Sequence, residues 1–154
     1  MTRINQDQAR RLGLLPPKKP KPVRISLVQW DAKVIPGGIW IQIPHVPPSL
    51  NVWKCWHWSK QAKYKQELTD AIQGLVWAMR LPKFTRATVQ IIYYFGVSRR
   101  RDPQDNYAPK FLMDALVRAG VLEDDNGDLV KVPTPEIRID RGKQRTEVFI
   151  WEVN

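Results

Sequence analysis

"ATVQIIYYFGVSRRRDPQDNYAPKFLMDALVRAG", residues 87–120, reads as a strand and a helix joined by a charged connection, and the architecture on either side follows from that unit. Residues 87–97 are rich in β-branched and aromatic side chains, apolar enough to lie inside a sheet. The chain then sets Arg99, Arg100 and Arg101 directly against Asp102 and Asp105. Pro109 breaks a helix already under way but suits a first turn, so the pattern predicts a helix from about Pro109 to Ala119, ended by Gly120. Phe111, Leu112, Ala115, Leu116 and Ala119 then face the core.

Upstream, Ser59 is read as the N-cap of a helix running to about Met79, with Ala62, Leu68, Ile72, Leu75, Val76 and Met79 on its apolar stripe and Pro82 stopping it. Before it, "VRISLVQW" (23–30) and "GIWIQIP" (38–44) are β-rich segments joined by a loop containing Pro36, Gly37 and Gly38, a hairpin pattern. "PHVPPSLN" (44–51) reads as a proline-bound loop. Downstream, "VLEDDNGDLVKV" (121–132) places an Asn-Gly turn between apolar runs, and residues 136–153 read as a closing hairpin across a polar turn. The expected order is β-β-α-β-α-β-β: an α+β fold with one mixed sheet covered by two main helices, in a single domain over 23–154. Residues 1–22 end in "LLPPKKPKP" and read as a flexible, basic, proline-rich tail.

Twenty-five Lys and Arg against fifteen Asp and Glu give a net charge of +10 over 154 residues, which favours a polyanionic partner such as nucleic acid or an acidic membrane surface. The charge is uneven: residues 102–128 carry seven acids and two bases, so this window is −5 and the remainder is +15. Cys55 is the single cysteine, which excludes an intrachain disulfide and favours a reducing compartment. No apolar run approaches the length of a membrane span, and the expectation is a soluble, cytoplasmic protein.

Two readings compete for the acidic island. Asp102 as N-cap, with Pro103 and Asp105 behind it, makes a helix start, although Pro109 would then interrupt the helix within two turns. The alternative is a divalent cation held by carboxylates where a phosphate chain docks. The "DDNGD" run fails as a calcium loop, because aligning Gly127 with the turn glycine puts Leu122 and Pro133 where acids are required. Asn126, Gly127 and Asp128 suffice as turn chemistry. Cys55, His57 and His45 lack the second paired motif of a zinc site. "WKCWHWSKQAKYK" (53–65) interleaves Trp53, Trp56 and Trp58 with Lys54, Lys60, Lys63 and Lys65. Such rings either stack on unpaired bases or bury against the sheet while the lysines solvate a helix face.

Taken together, "RRRDPQDNYAPKFLMDALVRAGVLEDD" (99–125) resembles the signature of the RusA family of Holliday-junction resolvases, crossover junction endodeoxyribonucleases. In that family a closely spaced Asp pair followed by Asn, a lysine, a "DAL-x-x-AG" helix and a terminal Asp-Asp recur in this order. "IPHVPPSLNVW" (43–53) is similar to the family's Pro-Pro-Ser loop and "RGKQRTEVFI" (141–150) to its last hairpin, so the resemblance covers about residues 39 to 153. It implies metal-binding acids at Asp102, Asp105 and Asp125, a catalytic lysine at Lys110, Mg²⁺ or Mn²⁺ as cofactor, and a homodimer that resolves four-way DNA junctions by paired symmetric nicks. Arg99, Arg100, Arg101, Lys54, Lys60 and Lys63 would then hold DNA, with Asn51, Asn106 and Asp124 supporting the acids. By the same analogy the setting is phage or prophage recombination in a bacterial cytoplasm.

One departure matters. Gln104 makes the acidic motif Asp-Pro-Gln-Asp where the family has one intervening residue, and residues three apart in an extended chain do not share a face. A branched-DNA-binding protein of the same fold with weakened or no cleavage is therefore the first rival. A flap or single-strand nuclease, and a nucleic-acid-coating protein whose acids serve only as caps, are the others.

Overall fold

The computed structural model describes residues 4–17, 29–98, 101 and 110–154. Its architecture is α+β, with a mixed sheet of strands β1 (Asp31–Ile35), β2 (Gly38–Ile43), β3 (Ala87–Phe95), β4 (Val130–Lys131), β5 (Glu136–Ile139) and β6 (Arg145–Glu152). The described helices are α1 (Gln6–Arg11), α2 (Leu50–Cys55), α3 (Trp58–Met79) and α4 (Lys110–Arg118). Strand order is β1-β2-β6-β3-β4, with β5 also paired to β3. The β1–β2, β2–β6 and β6–β3 pairs are antiparallel, whereas β3 is parallel to both β4 and β5.

Alternation along the central strands sets the two faces of the sheet. Ile39, Ile41 and Ile43 on β2, Val89, Ile91 and Tyr93 on β3, and Val148 and Ile150 on β6 are buried in one cluster with Leu68, Ile72 and Leu75 of α3 and Leu112, Ala115 and Leu116 of α4. Both long helices therefore cover the same face. Of the intervening residues, Trp40, Gln42, Thr88, Gln90, Tyr94, Glu147 and Phe149 are only half-buried and Ile92 is buried, so the opposite face is open except around Ile92.

The closing segment departs from a hairpin. β5 and β6 do not pair with each other, because β3 lies between them. A nine-residue strand as apolar as β3 is stable only when both its edges are paired, and the 140–144 turn carries the chain across its end, where the Asp140 amide donates to the Phe95 carbonyl at 2.8 Å.

The first hairpin also differs from expectation. Of the strand expected at 23–30, residues 23–28 lie outside the described residues, Gln29 and Trp30 are not in a strand, and the partner of β2 is β1. Ile35 pairs with Gly38 across Pro36-Gly37, a two-residue turn whose glycine has a φ of +75°, so the partner strand must end directly before the turn. Asp31, Ala32 and Lys33 are weak strand formers, and an edge position tolerates the Asp and Lys.

Four local details were not expected either. Residues 6–11 of the N-terminal tail form a helix closed by a capping box between Asn5 and Gln8, with no buried residue. α2 follows the double proline, its N-cap Ser49 accepting from the Val52 amide at 3.3 Å. α3 is capped by His57 rather than Ser59: His57 Nδ1 accepts from the Ser59 amide at 3.2 Å. Ala62 and Met79 of its expected stripe are exposed. α4 matches expectation closely, with Phe111, Leu112, Ala115, Leu116 and Ala119 buried and Gly120 at a φ of +84°.

Gly38 sits at a close backbone approach between β2 and β6, since a Cβ there would lie 1.9 Å from the Ile150 carbonyl oxygen. Gly38→Ala forces β2 and β6 apart, and the expected outcome is a loss of about 2–3 kcal/mol of stability, read from the urea midpoint. An unchanged midpoint would show that the two strands separate at no cost.

Candidate functional site

α4 spans the length of the unit that carries the acidic island. At the C-terminal end of β3, the Arg101 guanidinium lies 3.8 Å from the Phe95 ring centroid and donates to the Val97 carbonyl at 2.9 Å. Arg99, Arg100, Asp102, Asp105 and Asn106 lie outside the described residues. The chain re-enters at Lys110, the exposed first residue of α4, and Phe111 packs on Trp53 with ring centroids 4.2 Å apart. Trp53 belongs to α2, just beyond the end of β2, and β2 and β3 run in the same direction. The start of α4 therefore sits at the C-terminal end of β3.

The other end of α4 returns to the beginning of that strand. Leu122 bridges Phe84 in parallel, the Glu123 amide donates to the Phe84 carbonyl at 3.0 Å, and the Thr85 hydroxyl donates to the Glu123 carboxylate at 2.9 Å. Nine residues of helix measure about 13 Å. Lys110 and Asp125 thus stand at opposite ends of α4, and the fold does not bring them together.

The loop after α4 is built to hold carboxylates in solvent. Asp124 Oδ1 accepts from the Asp125 amide at 2.8 Å, the Asn126 side chain accepts from the Asp128 amide at 3.0 Å, and the Asn126 carbonyl accepts from the Leu129 and Val130 amides at 2.9 and 2.8 Å. Asp124, Asp125 and Asp128 are exposed, and none pairs with a base among the described residues. Two adjacent carboxylates fall short of a complete site for a hard cation. Among the described residues no group of three or more His, Cys, Asp or Glu stands together, so the described side chains do not by themselves hold a metal.

The tryptophan-lysine stretch divides. Trp53 and Trp56 are half-buried, with Trp53 packed on Trp56, Tyr64 and Phe111 at centroid distances of 5.6, 5.9 and 4.2 Å. Lys60 sits 4.2 Å over the Trp56 ring and Lys65 5.7 Å over Trp53, so these ring faces already carry cations. Lys63 lies 3.9 Å from Glu67 across a solvent-exposed turn, a contact worth little. Trp58 remains 73% exposed. Lys54 and Asn51 lie exposed on α2, where the Asn51 carbonyl accepts from the Cys55 thiol at 3.4 Å.

Beside this cluster, Trp30, His45, Tyr64, Glu67, Leu68 and Ala71 line a cleft of about 180 Å³ that sequence reasoning missed. His45 Nε2 and the Tyr64 hydroxyl share a hydrogen bond at 3.1 Å, and the His45 carbonyl accepts from the buried Thr146 hydroxyl at 2.8 Å. Burial holds the His45 imidazole below its ordinary pKa and raises the Tyr64 phenol above its own. The signal available in sequence was the position of His45, directly after the alternating strand.

No protein-family model matches the chain, and no curated protein matches it. No described helix is long and apolar enough to cross a membrane.

The His45 environment gives a pH dependence. Its folded-state pKa is lowered, so the unfolded chain takes up the proton first. The stability contributed by the neutral ring is complete above about pH 6.5 and is lost as the pH falls below it. The urea midpoint of the wild type is expected to fall more steeply than that of His45→Gln between about pH 7.5 and about pH 5.5. Parallel curves would mean that His45 does not titrate differently on folding.

Proposed function

We propose that this chain is a divalent-metal-dependent endonuclease of the RusA type, acting as a homodimer on four-way DNA junctions. The observation that carries the reading is the loop after α4: three exposed carboxylates, Asp124, Asp125 and Asp128, left without basic partners among the described residues of a protein whose net charge is +10. Carboxylates left unneutralised in a strongly basic protein suit a cation. The ordered likeness of residues 99–125 to the resolvase signature supplies the chemistry.

In this reading Asp102, Asp105 and Asp125 would hold Mg²⁺ or Mn²⁺, with Asp124 beside them; since α4 parts the two groups by a helix length, the reading requires the 102–109 connection to turn back along α4. When bound, the metal supplies Lewis-acid polarisation of a phosphate and lowers the pKa of a water. Lys110 lies five residues beyond Asp105 in the chain and a helix length from Asp125, so it meets the phosphate from the Asp105 side and offsets charge developing there. Arg99, Arg100 and Arg101 hold the flanking backbone, and Asn51 and Asn106 orient the acids. Cutting two strands symmetrically calls for two sites in fixed relation, which a two-fold dimer provides.

Gln104 favours a second reading, a branched-DNA-binding protein of the same fold that cuts weakly or not at all. Deleting Gln104 separates the two, because a large gain of cleavage supports the weakened enzyme.

Replacing Asp125 by Asn is expected to leave junction binding within about twofold while Mg²⁺-dependent cleavage falls at least about a hundredfold, measured by mobility shift and by nicking of a labelled junction. Cleavage at the wild-type rate would remove Asp125 from the site.

A further inference from the structure

The open face of the sheet carries its own chemistry. Strand register aligns Lys33, Trp40, Phe149 and Gln90 in one row across β1, β2, β6 and β3, and Gly38, Trp151, Thr88 and Lys131 in the next across β2, β6, β3 and β4. The Phe149 and Trp151 rings stack with centroids 5.5 Å apart and planes 12° from parallel. The Trp40 indole N–H donates to Glu147 at 3.2 Å, which fixes that ring beside them, and Trp151 is 37% exposed. Gly38, opposite Trp151, has no side chain to cover it.

The two rows end in cations. Lys33 on the β1 edge lies 4.9 Å over the Trp40 ring, and Lys131 is exposed on β4. Four strand spacings of about 4.8 Å put the two edges roughly 19 Å apart. Neither lysine has a carboxylate partner among the described residues. The rest of this face is neutralised internally: Arg138 meets Glu136 at 2.7 Å, and Arg145 meets Asp140 at 2.8 Å while its guanidinium lies 3.8 Å from the Tyr94 ring centroid. Aromatic rings flanked by unpaired cations are thus confined to one half of the face.

We propose that this half of the sheet binds single-stranded nucleic acid, with unpaired bases stacked on Trp151 and Phe149 and backbone phosphates held by Lys33 and Lys131. Base stacking on exposed rings needs no sequence match, and edge lysines meet phosphates on either side. A second copy seated on the same face would set these lysines against their own counterparts, a like-charge contact that disfavours it. The inference stands apart from the nuclease reading, since it needs no metal and uses none of Asp102, Asp105, Lys110 or Asp125.

The test is fluorescence anisotropy of the full chain with labelled oligothymidylate and with a duplex of equal length, both in EDTA. The expected result is tighter binding of the single strand, weakened about tenfold by Trp151→Ala and kept within about twofold by Trp151→Phe. The double variant Lys33→Gln with Lys131→Gln is expected to flatten the salt dependence, and it decides alone if Trp151→Ala fails to fold. Wild-type affinity and salt slope in these variants overturn the proposal. So does a Trp151→Ala chain that sediments as a smaller species than the wild type while binding the oligonucleotide unchanged, because a second copy then occupies the face.

Discussion

Everything in this fold depends on β3 being paired along both edges. Its antiparallel partner β6 and its parallel partners β4 and β5 satisfy the backbone of the longest described strand, and the parallel side cannot be reached by a tight turn. The chain must leave the end of β3, cross the sheet and return to its beginning, and α4 is that crossover. Its apolar stripe of Phe111, Leu112, Ala115 and Leu116 sets which face it covers, and its length sets what stands at each end. The arginine end and the Asp124–Asp125 end of one short motif are separated as a consequence of strand pairing.

That unit was legible in sequence because its signals are local. The apolar spacing from Phe111 through Ala119, and Gly120 behind it, each specify backbone conformation without reference to the rest of the chain, while Pro109 lies outside the described residues. What was not legible is non-local. Nothing in residues 136–153 says that β3 lies between β5 and β6, because two strands joined by a short polar turn look like a hairpin whether or not a third strand separates them. β1 was misplaced for a related reason: its place is set by the turn and the edge position, and three of its five residues, Asp31, Ala32 and Lys33, are weak strand formers. For the candidate site, composition located the acidic loop, while the distance between Lys110 and Asp125 required the direction of α4 relative to β3.

The two faces of the sheet divide the labour of the molecule. One is sealed by α3 and α4 and supplies the core. The other keeps Trp40, Phe149 and Trp151 at its surface, at the cost of leaving large rings half in water. His45 and Tyr64 close one end of the layer between helix and sheet with a half-buried polar pair, which ties α3 to the segment following β2. The proposed nuclease chemistry and the proposed strand-binding surface thus sit on different parts of one basic scaffold, and the loss of one leaves the other intact.

Binding of the cation at the loop after α4 is the step on which the functional reading stands, and Mn²⁺ reports its position directly through paramagnetic broadening of amide resonances. Titrated into the intact chain, Mn²⁺ should selectively broaden the amides of residues 123–127 near one equivalent. Broadening spread evenly over exposed carboxylates such as Glu67 and Glu152, or absent from this loop, would contradict the metal site and the nuclease built on it.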